Sequence, residues 1–180
     1  MKSLKIFCVG VVAVASHPLM AWDFGETEDR CTVSQVFEGA GSTLFLFTQD
    51  QANFDDGDQV MIVVQNDNWT TGQAELLGVI RFATDQGWFE NDAVGMDFGE
   101  YPGAVVTKVS FNHLETALSG FPEWLHISRA DKTIDRLSLA GLSSYYYRFK
   151  KCREKKLEVV RERERKESLE RSIPRDPFSG

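Results

Sequence analysis

Two cysteines, Cys31 and Cys152, constrain this chain more than any other feature once its first residues are set aside. Lys2 and Lys5 form a short basic region, and Ile6 to Ala15 is an unbroken run of apolar and small residues. Such a run is too short to cross the roughly 30 Å of bilayer hydrocarbon as a helix. Small residues then offer cleavage after Ala15 or after Ala21. The pattern predicts a secretory signal peptide over 1–21 and a mature chain beginning at Trp22, an uncleaved anchor being the alternative. Cys8 lies inside the apolar run without the sequence context of lipid attachment. Its removal leaves two cysteines in an oxidising compartment, which predicts a Cys31–Cys152 disulfide, with two buried free thiols as the alternative. Closing a loop of about 100 residues contributes on the order of 4–5 kcal/mol in the chain-entropy model. No histidine lies within ligand spacing of either cysteine, so the pair does not read as a zinc site.

The chain of 180 residues is long enough for one domain with a full core. Its formal charge of −7 is unevenly spread. Between Trp22 and Tyr147 stand 20 acidic and 6 basic residues, whereas Arg148 to Arg171 holds 11 basic and 6 acidic ones. An acidic body argues against nucleic acid as its partner.

Residues 31–37 (CTVSQVF) and 42–49 (STLFLFTQ) read as a hairpin turning at Gly39 and Gly41, behind a polar entry loop over 23–30. Residues 59–66 (QVMIVVQN) read as a central strand, and 75–83 (ELLGVIRFA) as another with a bulge at Gly78. Trp88-Phe89 and Val94-Gly95-Met96 read as two short strands, Pro102-Gly103 as a turn and 104–111 as a strand. A short helix follows, with Asn112 as cap, Glu115 completing a capping box, an apolar face of Leu114, Ala117 and Leu118, and Gly120 at its end. Residues 123–130 and 132–139 form a second hairpin about Ala130-Asp131. A final helix begins near Ala140 or Gly141, with Leu142, Tyr146, Phe149 and Cys152 or Arg153 on one stripe. Leu157 and Val160 are its last apolar residues in register. The run RERERKESLERS has no buried face; pairs such as Glu162–Lys166 and Glu167–Arg171 support a solvated helix that frays into SIPRDPFSG. Turn signals recurring through the first half of the chain predict a mainly β, antiparallel sandwich of seven or eight strands with one short and one C-terminal helix. A single β-rich domain is expected over 22–153, with a charged tail over 154–180.

Motifs for chemistry are sparse. DFGE occurs at Asp23–Glu26 and again at Asp97–Glu100, without the Gly-rich loop, lysine or catalytic loop of a kinase. An internal duplication is the other reading of the repeat. Asp55-Asp56-Gly57-Asp58 reads as a polar turn, since it lacks the spaced ligands of a calcium loop. His113 and His126 read as structural or surface residues, and GLSSY (141–145) is not a nucleophile elbow. Asn68-Trp69-Thr70 fits a glycosylation sequon, a common chance match. The three tyrosines 145–147 cannot all face one way on a helix, which predicts an exposed aromatic and basic patch of Tyr145, Tyr147, Arg148 and Lys151, against ordinary packing at the helix–sheet junction.

From His113 to Tyr147 the chain places a helix with LETALSG, then EWLHIS, a turn and IDRLSLAGLSSYYY. This resembles the C-terminal pattern of the invasion-associated locus B family of secreted bacterial proteins, where an L..L..G helix precedes two strands and an L.L.GF..A helix start. Leu137, Leu139, Gly141 and Leu142 stand at the matching positions, Leu142 in place of the usual phenylalanine, and the charged tail is additional. Trp22, Cys31 and Cys152 also resemble the early Trp and Cys and late helix Cys of proteobacterial envelope proteins. The resemblance covers about 40 of the 180 residues. It implies a periplasmic β-sandwich without known catalytic residues.

The expected function is a non-enzymatic periplasmic or secreted binding or accessory protein of the bacterial envelope. No cofactor, metal, nucleic acid or membrane span is expected after signal cleavage, and the expected partner is a protein or envelope component. One alternative tethers the basic tail to anionic lipid or polymer, each basic residue adding about 1 kcal/mol near such a membrane. The other is a hydrolase whose unfamiliar site gathers His113 or His126 with carboxylates. Intact-mass analysis of the secreted chain should give a mature N-terminus at Trp22 and no alkylation without reductant, then two labels after reduction. Labelling before reduction would establish the free-thiol alternative.

Overall fold

Burial alternates along the first long strands: Cys31, Val33 and Gln35 are buried on one, Phe45 and Phe47 on the next, with more exposed residues between. That is the two-residue period of a strand with one face in a core. The computed structural model describes residues 21–38, 43–50, 58–97 and 103–172. Its elements are β1 (Asp23–Glu26), β2 (Arg30–Phe37), β3 (Thr43–Asp50), β4 (Gln59–Asn66), β5 (Leu76–Ala83), β6 (Trp88–Met96), β7 (Ala104–Ser110), α1 (Phe111–Ala117), β8 (Trp124–Arg129), β9 (Lys132–Ser138) and α2 (Leu142–Ser172). The signal segment, the turns at Gly39-Gly41 and Pro102, the carboxylates Asp55 and Asp56, most of the second DFGE and the final SIPRDPFSG beyond Ser172 lie outside the described residues.

The protein is mainly β and antiparallel throughout. Among the described residues, nine strands hydrogen-bond as one sheet in the order β1-β2-β3-β4-β7-β6-β5-β8-β9. The sheet is curled into a half-barrel. This differs from the expected arrangement of two facing sheets: the strands form one hydrogen-bonded sheet, with α2 packed on its β1–β2 end and α1 on β4, β6 and β7. The curl is visible at the far edge. The Asp135 carboxylate on β9 accepts a hydrogen bond from Thr43 Oγ1 on β3 at 3.0 Å, and Trp22 Nε1, just before β1, donates to Ala140 O at 3.0 Å.

Most predicted strands form. β2 and β3 pair from Arg30↔Asp50 to Phe37↔Thr43, and β4 lies in the interior of the sheet between β3 and β7. The pairing of β5 with β6 shifts at Leu76/Gly78, where Gly78 has φ +74°, the bulge expected there. Ala130 and Asp131 both take positive φ, the geometry of a two-residue hairpin turn between β8 and β9.

Three expectations change. The stretch taken as an entry loop contains β1, which pairs from Asp23↔Ser34 to Glu26↔Cys31. An edge strand with one partner is held by its backbone ladder and tolerates polar side chains. Trp88-Phe89 and Val94-Gly95-Met96 are the two ends of a single strand, β6. Ser110, not Asn112, caps α1 by accepting from His113 N, and the Glu115 side chain pairs with Lys150 of α2. Leu114, Ala117 and Leu118 are buried as predicted.

Gly141, at φ +80°, turns the chain into α2. Leu142, Tyr146, Phe149 and Cys152 are all buried on the stripe that their spacing predicts. Phe149 meets Phe47 edge-on at 5.0 Å and Phe111 at 6.4 Å between ring centroids. Such pairs add about 0.5–1.5 kcal/mol beyond area burial. Cys152 is joined to Cys31 of β2, both buried, with Cα atoms 6.1 Å apart. The bond fixes the helix to a strand 121 residues earlier. Replacing both cysteines with serine should lower stability in denaturant titration by about 5 kcal/mol in the chain-entropy model. A change under about 1 kcal/mol would contradict the clamp.

Candidate functional site

Helical geometry divides Tyr145–Lys151 between core and solvent. Tyr146 points inward, Tyr145 is half-buried against the core, and Tyr147 is 57% exposed. Tyr147 and Lys151 are one turn apart, as are Arg148 and Lys151, so the three share an outer strip. Tyr147 lies against Phe121, centroids 5.6 Å apart, and Phe121 itself is partly exposed. The Arg148 guanidinium stacks over Phe24 of β1 at 4.4 Å. Arg148 and Lys151 are both exposed. The structure therefore gathers Tyr147, Arg148 and Lys151 on one accessible strip and sets Tyr145 at its inner border.

Tyr146 has a different role. Its ring packs between Phe47 and Phe121, and its hydroxyl is buried without a hydrogen-bond partner. Burial, reinforced by the Glu115 carboxylate and opposed by Arg153, pushes its ionisation well above the ordinary tyrosine value of 10.0.

One turn after Phe149, Arg153 closes the latch between helix and sheet. Its guanidinium stacks over Phe111 at 3.7 Å and holds Asp58 through two hydrogen bonds, Nε–Oδ1 at 3.1 Å and Nη2–Oδ2. Its side chain is 12% exposed. Gln49 Nε2 donates to the same carboxylate at 2.7 Å. Asp58 belongs to the cluster weighed as a cation site, and the cation it holds is an arginine of α2. The pairing spans 95 residues, beyond the reach of local spacing rules.

The basic segment beyond Cys152 continues to engage the body. Lys155 pairs with Glu26 at 3.5 Å, and Lys156 Nζ donates to Thr27 O and Glu28 O at 2.7 and 2.9 Å. Val160 is buried and Leu157 half-buried. From Arg161 to Arg171 every side chain is exposed, while α2 runs on to Ser172. Ion pairs Arg163–Glu167, Arg165–Glu162 and Arg171–Glu167 lie at i,i+3 and i,i+4 along this arm. Each adds a few tenths of a kcal/mol to helicity. Glu162 thus meets Arg165 where Lys166 was expected, and Glu167–Arg171 forms as predicted.

His113 is exposed on α1, and His126 is exposed on β8 opposite Arg136. Ser143 and Ser144 of GLSSY lie in the first turn of α2. Asn68 and Trp69 of the sequon lie in the connection after β4. Among the described residues no group of three His, Cys, Asp or Glu side chains is placed to hold a metal ion, and no helix is long and apolar enough to cross a membrane. Comparison with known proteins finds no matching family model, curated protein or solved structure.

Two outcomes test this arrangement. Asp58→Asn should cost about 1.5–3 kcal/mol, as expected for losing hydrogen bonds to a charged group. The exposed Arg81–Glu90 pair should be worth no more than about 1 kcal/mol. Equal effects by thermal or urea unfolding would contradict the latch. Tyr146 favours protonation in the folded chain, so the unfolded chain releases that proton first as pH rises above 10.0, its ordinary value. Stability is therefore complete below that pH and falls above it. Tyr146→Phe should flatten this alkaline loss without reducing stability at neutral pH. An unchanged alkaline slope would contradict the buried phenol.

Proposed function

We propose that the protein is a non-enzymatic binding or accessory module of the bacterial envelope, periplasmic or secreted, with α2 as the element that presents it to a protein partner. The observation that carries this reading is the exposed arm of α2. Eleven residues from Arg161 to Arg171 extend the helix with no side chain buried. An exposed helix of that length gains nothing from the core and is marginal alone in water. Its continuity with a clamped, buried segment supplies a nucleus and a fixed direction, which suits a docking element better than a loose end.

Charge placement favours a protein partner over tethering to an anionic surface. Within 148–171, Arg148, Lys150, Lys151, Arg153, Lys155 and Lys156 precede the arm, with only Glu154 and Glu158 among them. Most of these cations are engaged by the body: Lys150 by Glu115, Arg153 by Asp58, Lys155 by Glu26 and Lys156 by backbone carbonyls. The arm itself carries five basic and four acidic residues. Its near balance gives little attraction to anionic lipid and a patterned surface for a complementary helix or groove.

Crosslinking of the mature protein in its own envelope, compared with a chain ending at Val160, tests the proposal. The shortened chain should keep its thermal midpoint and lose the specific crosslinked partner. Capture of the same partner at the same yield would refute the docking role. Loss of anionic-vesicle binding on the same truncation would instead establish the tether.

A further inference from the structure

The solvated arm of α2 carries a pattern that ion pairs within the helix do not account for. Val159, Glu162, Lys166 and Leu169 follow one another at three, four and three residues, the spacing that keeps side chains on one stripe of a helix. Val159 is 62% and Leu169 61% exposed, the two large apolar side chains that α2 presents to solvent beyond Cys152. Val160, the next residue after Val159, is buried, so the stripe begins about 100° round the helix from a residue that faces inward. Glu162 reaches Arg165 of its own helix only at 3.9 Å, and its side chain stays 55% exposed.

At the root of the arm the stripe borders a groove of about 580 Å³, lined by Glu26, Thr27, Glu28, Lys155, Lys156 and Val159. Val159 is the apolar side chain of this lining, and the others are polar or charged. The groove lies between the turn that joins β1 to β2 and the last engaged turn of α2, where Lys155 pairs with Glu26 and Lys156 holds the carbonyls of Thr27 and Glu28.

We infer that two copies of the protein pair through their arms in antiparallel register, the tip of each arm seated at the groove on the root of the other. This pairing rests on the docking role proposed for α2 and gives that role its partner, a second copy of the chain. Read from either end, the stripe runs apolar, charged, charged, apolar, and the two charges are opposite in sign. An antiparallel copy therefore sets Val159 against the partner's Leu169 and Glu162 against the partner's Lys166, and a two-fold axis repeats both pairs. The same register brings the partner's Leu169 to the apolar side chain of the groove. A parallel copy would instead place Glu162 on Glu162 and Lys166 on Lys166, like charge on like. Arg163 and Arg165, which flank the axis, are paired with carboxylates of their own helix, Glu167 at 4.0 Å and Glu162 at 3.9 Å. The overlap from Lys156 to Ser172 is about 24 Å of helix. A contact of this size serves transient association, so dimers are expected in the micromolar range.

Sedimentation equilibrium of the mature protein across the micromolar range tests the pairing. The mass should rise from monomer toward dimer with concentration, and the chain ending at Val160 should stay monomeric. Glu162→Lys and Lys166→Glu should each weaken association tenfold or more, because each sets like charges face to face. Mixing the two variants should restore it, since one stripe then carries two lysines and the other two glutamates. Fraying within a single chain is not repaired by mixing. Orientation is read by thiol crosslinking under air oxidation: Val159→Cys mixed with Leu169→Cys should give several times the interchain disulfide of either variant alone. All four substitutions fall on exposed positions, and circular dichroism checks that the fold is kept. A protein monomeric throughout, a mixture that associates no better than its components, or Val159→Cys crosslinking best with itself overturns the inference. A monomeric protein whose truncation at Val160 still loses a foreign envelope partner would overturn the self-pairing and leave the docking role of α2 intact.

Discussion

The seating of α2 against β2 and β3 by the Cys31–Cys152 disulfide is the constraint on which the rest of the structure depends. A curled nine-stranded sheet has a concave apolar face, and burying it requires a second layer. Here that layer is the α2 stripe of Leu142, Tyr146, Phe149 and Cys152 over β1–β3, with Phe111, Leu114 and Ala117 of α1 over β4, β6 and β7. The covalent bond sits at the stripe's end, and the Arg153 latch to Asp58 follows at the next residue. Aromatic packing, disulfide and ion pair therefore act on one turn of helix, where each limits the freedom that the others must overcome.

That geometry gives α2 two physical characters. Up to Val160 it is part of the body, with its cations drawn onto Glu26 of β1, the carbonyls of Thr27 and Glu28, Glu115 of α1 and Asp58 just before β4. Beyond Val160 it is a solvated helix held by its own ion pairs. The change in charge balance along the helix has a structural basis: the excess of basic residues lies where an acidic body can neutralise it, and the near-neutral repeat lies where nothing does.

Features carried by local periodicity were legible in the sequence. Leu125 and Ile127 alternate with exposed neighbours, Ala130-Asp131 marks a two-residue turn, and the helical stripe ends at Cys152, each within a dozen residues. The two-sheet expectation failed because strand content and turn spacing are alike for a sandwich and for one curled sheet. Only the order β4-β7-β6-β5-β8 separates them, and it rests on distant pairings. β1 was missed because Asp-Phe-Gly-Glu has no apolar alternation to announce a strand. Asp58 was recognised as part of a carboxylate cluster, but its partner Arg153 lies far along the chain and belongs to a helix register that points it at Phe111.

Hydrogen exchange along α2 tests the account most directly, because amide protection reports which segments open locally and which open only with the whole fold. Protection should be close to global stability around Tyr146–Cys152, decline through Val160, and give way to exchange by fraying from Arg161 to Arg171. Strong protection extending undiminished through Arg171, or rapid exchange across Tyr146–Cys152, would contradict the division of this helix into a clamped core element and a solvated arm.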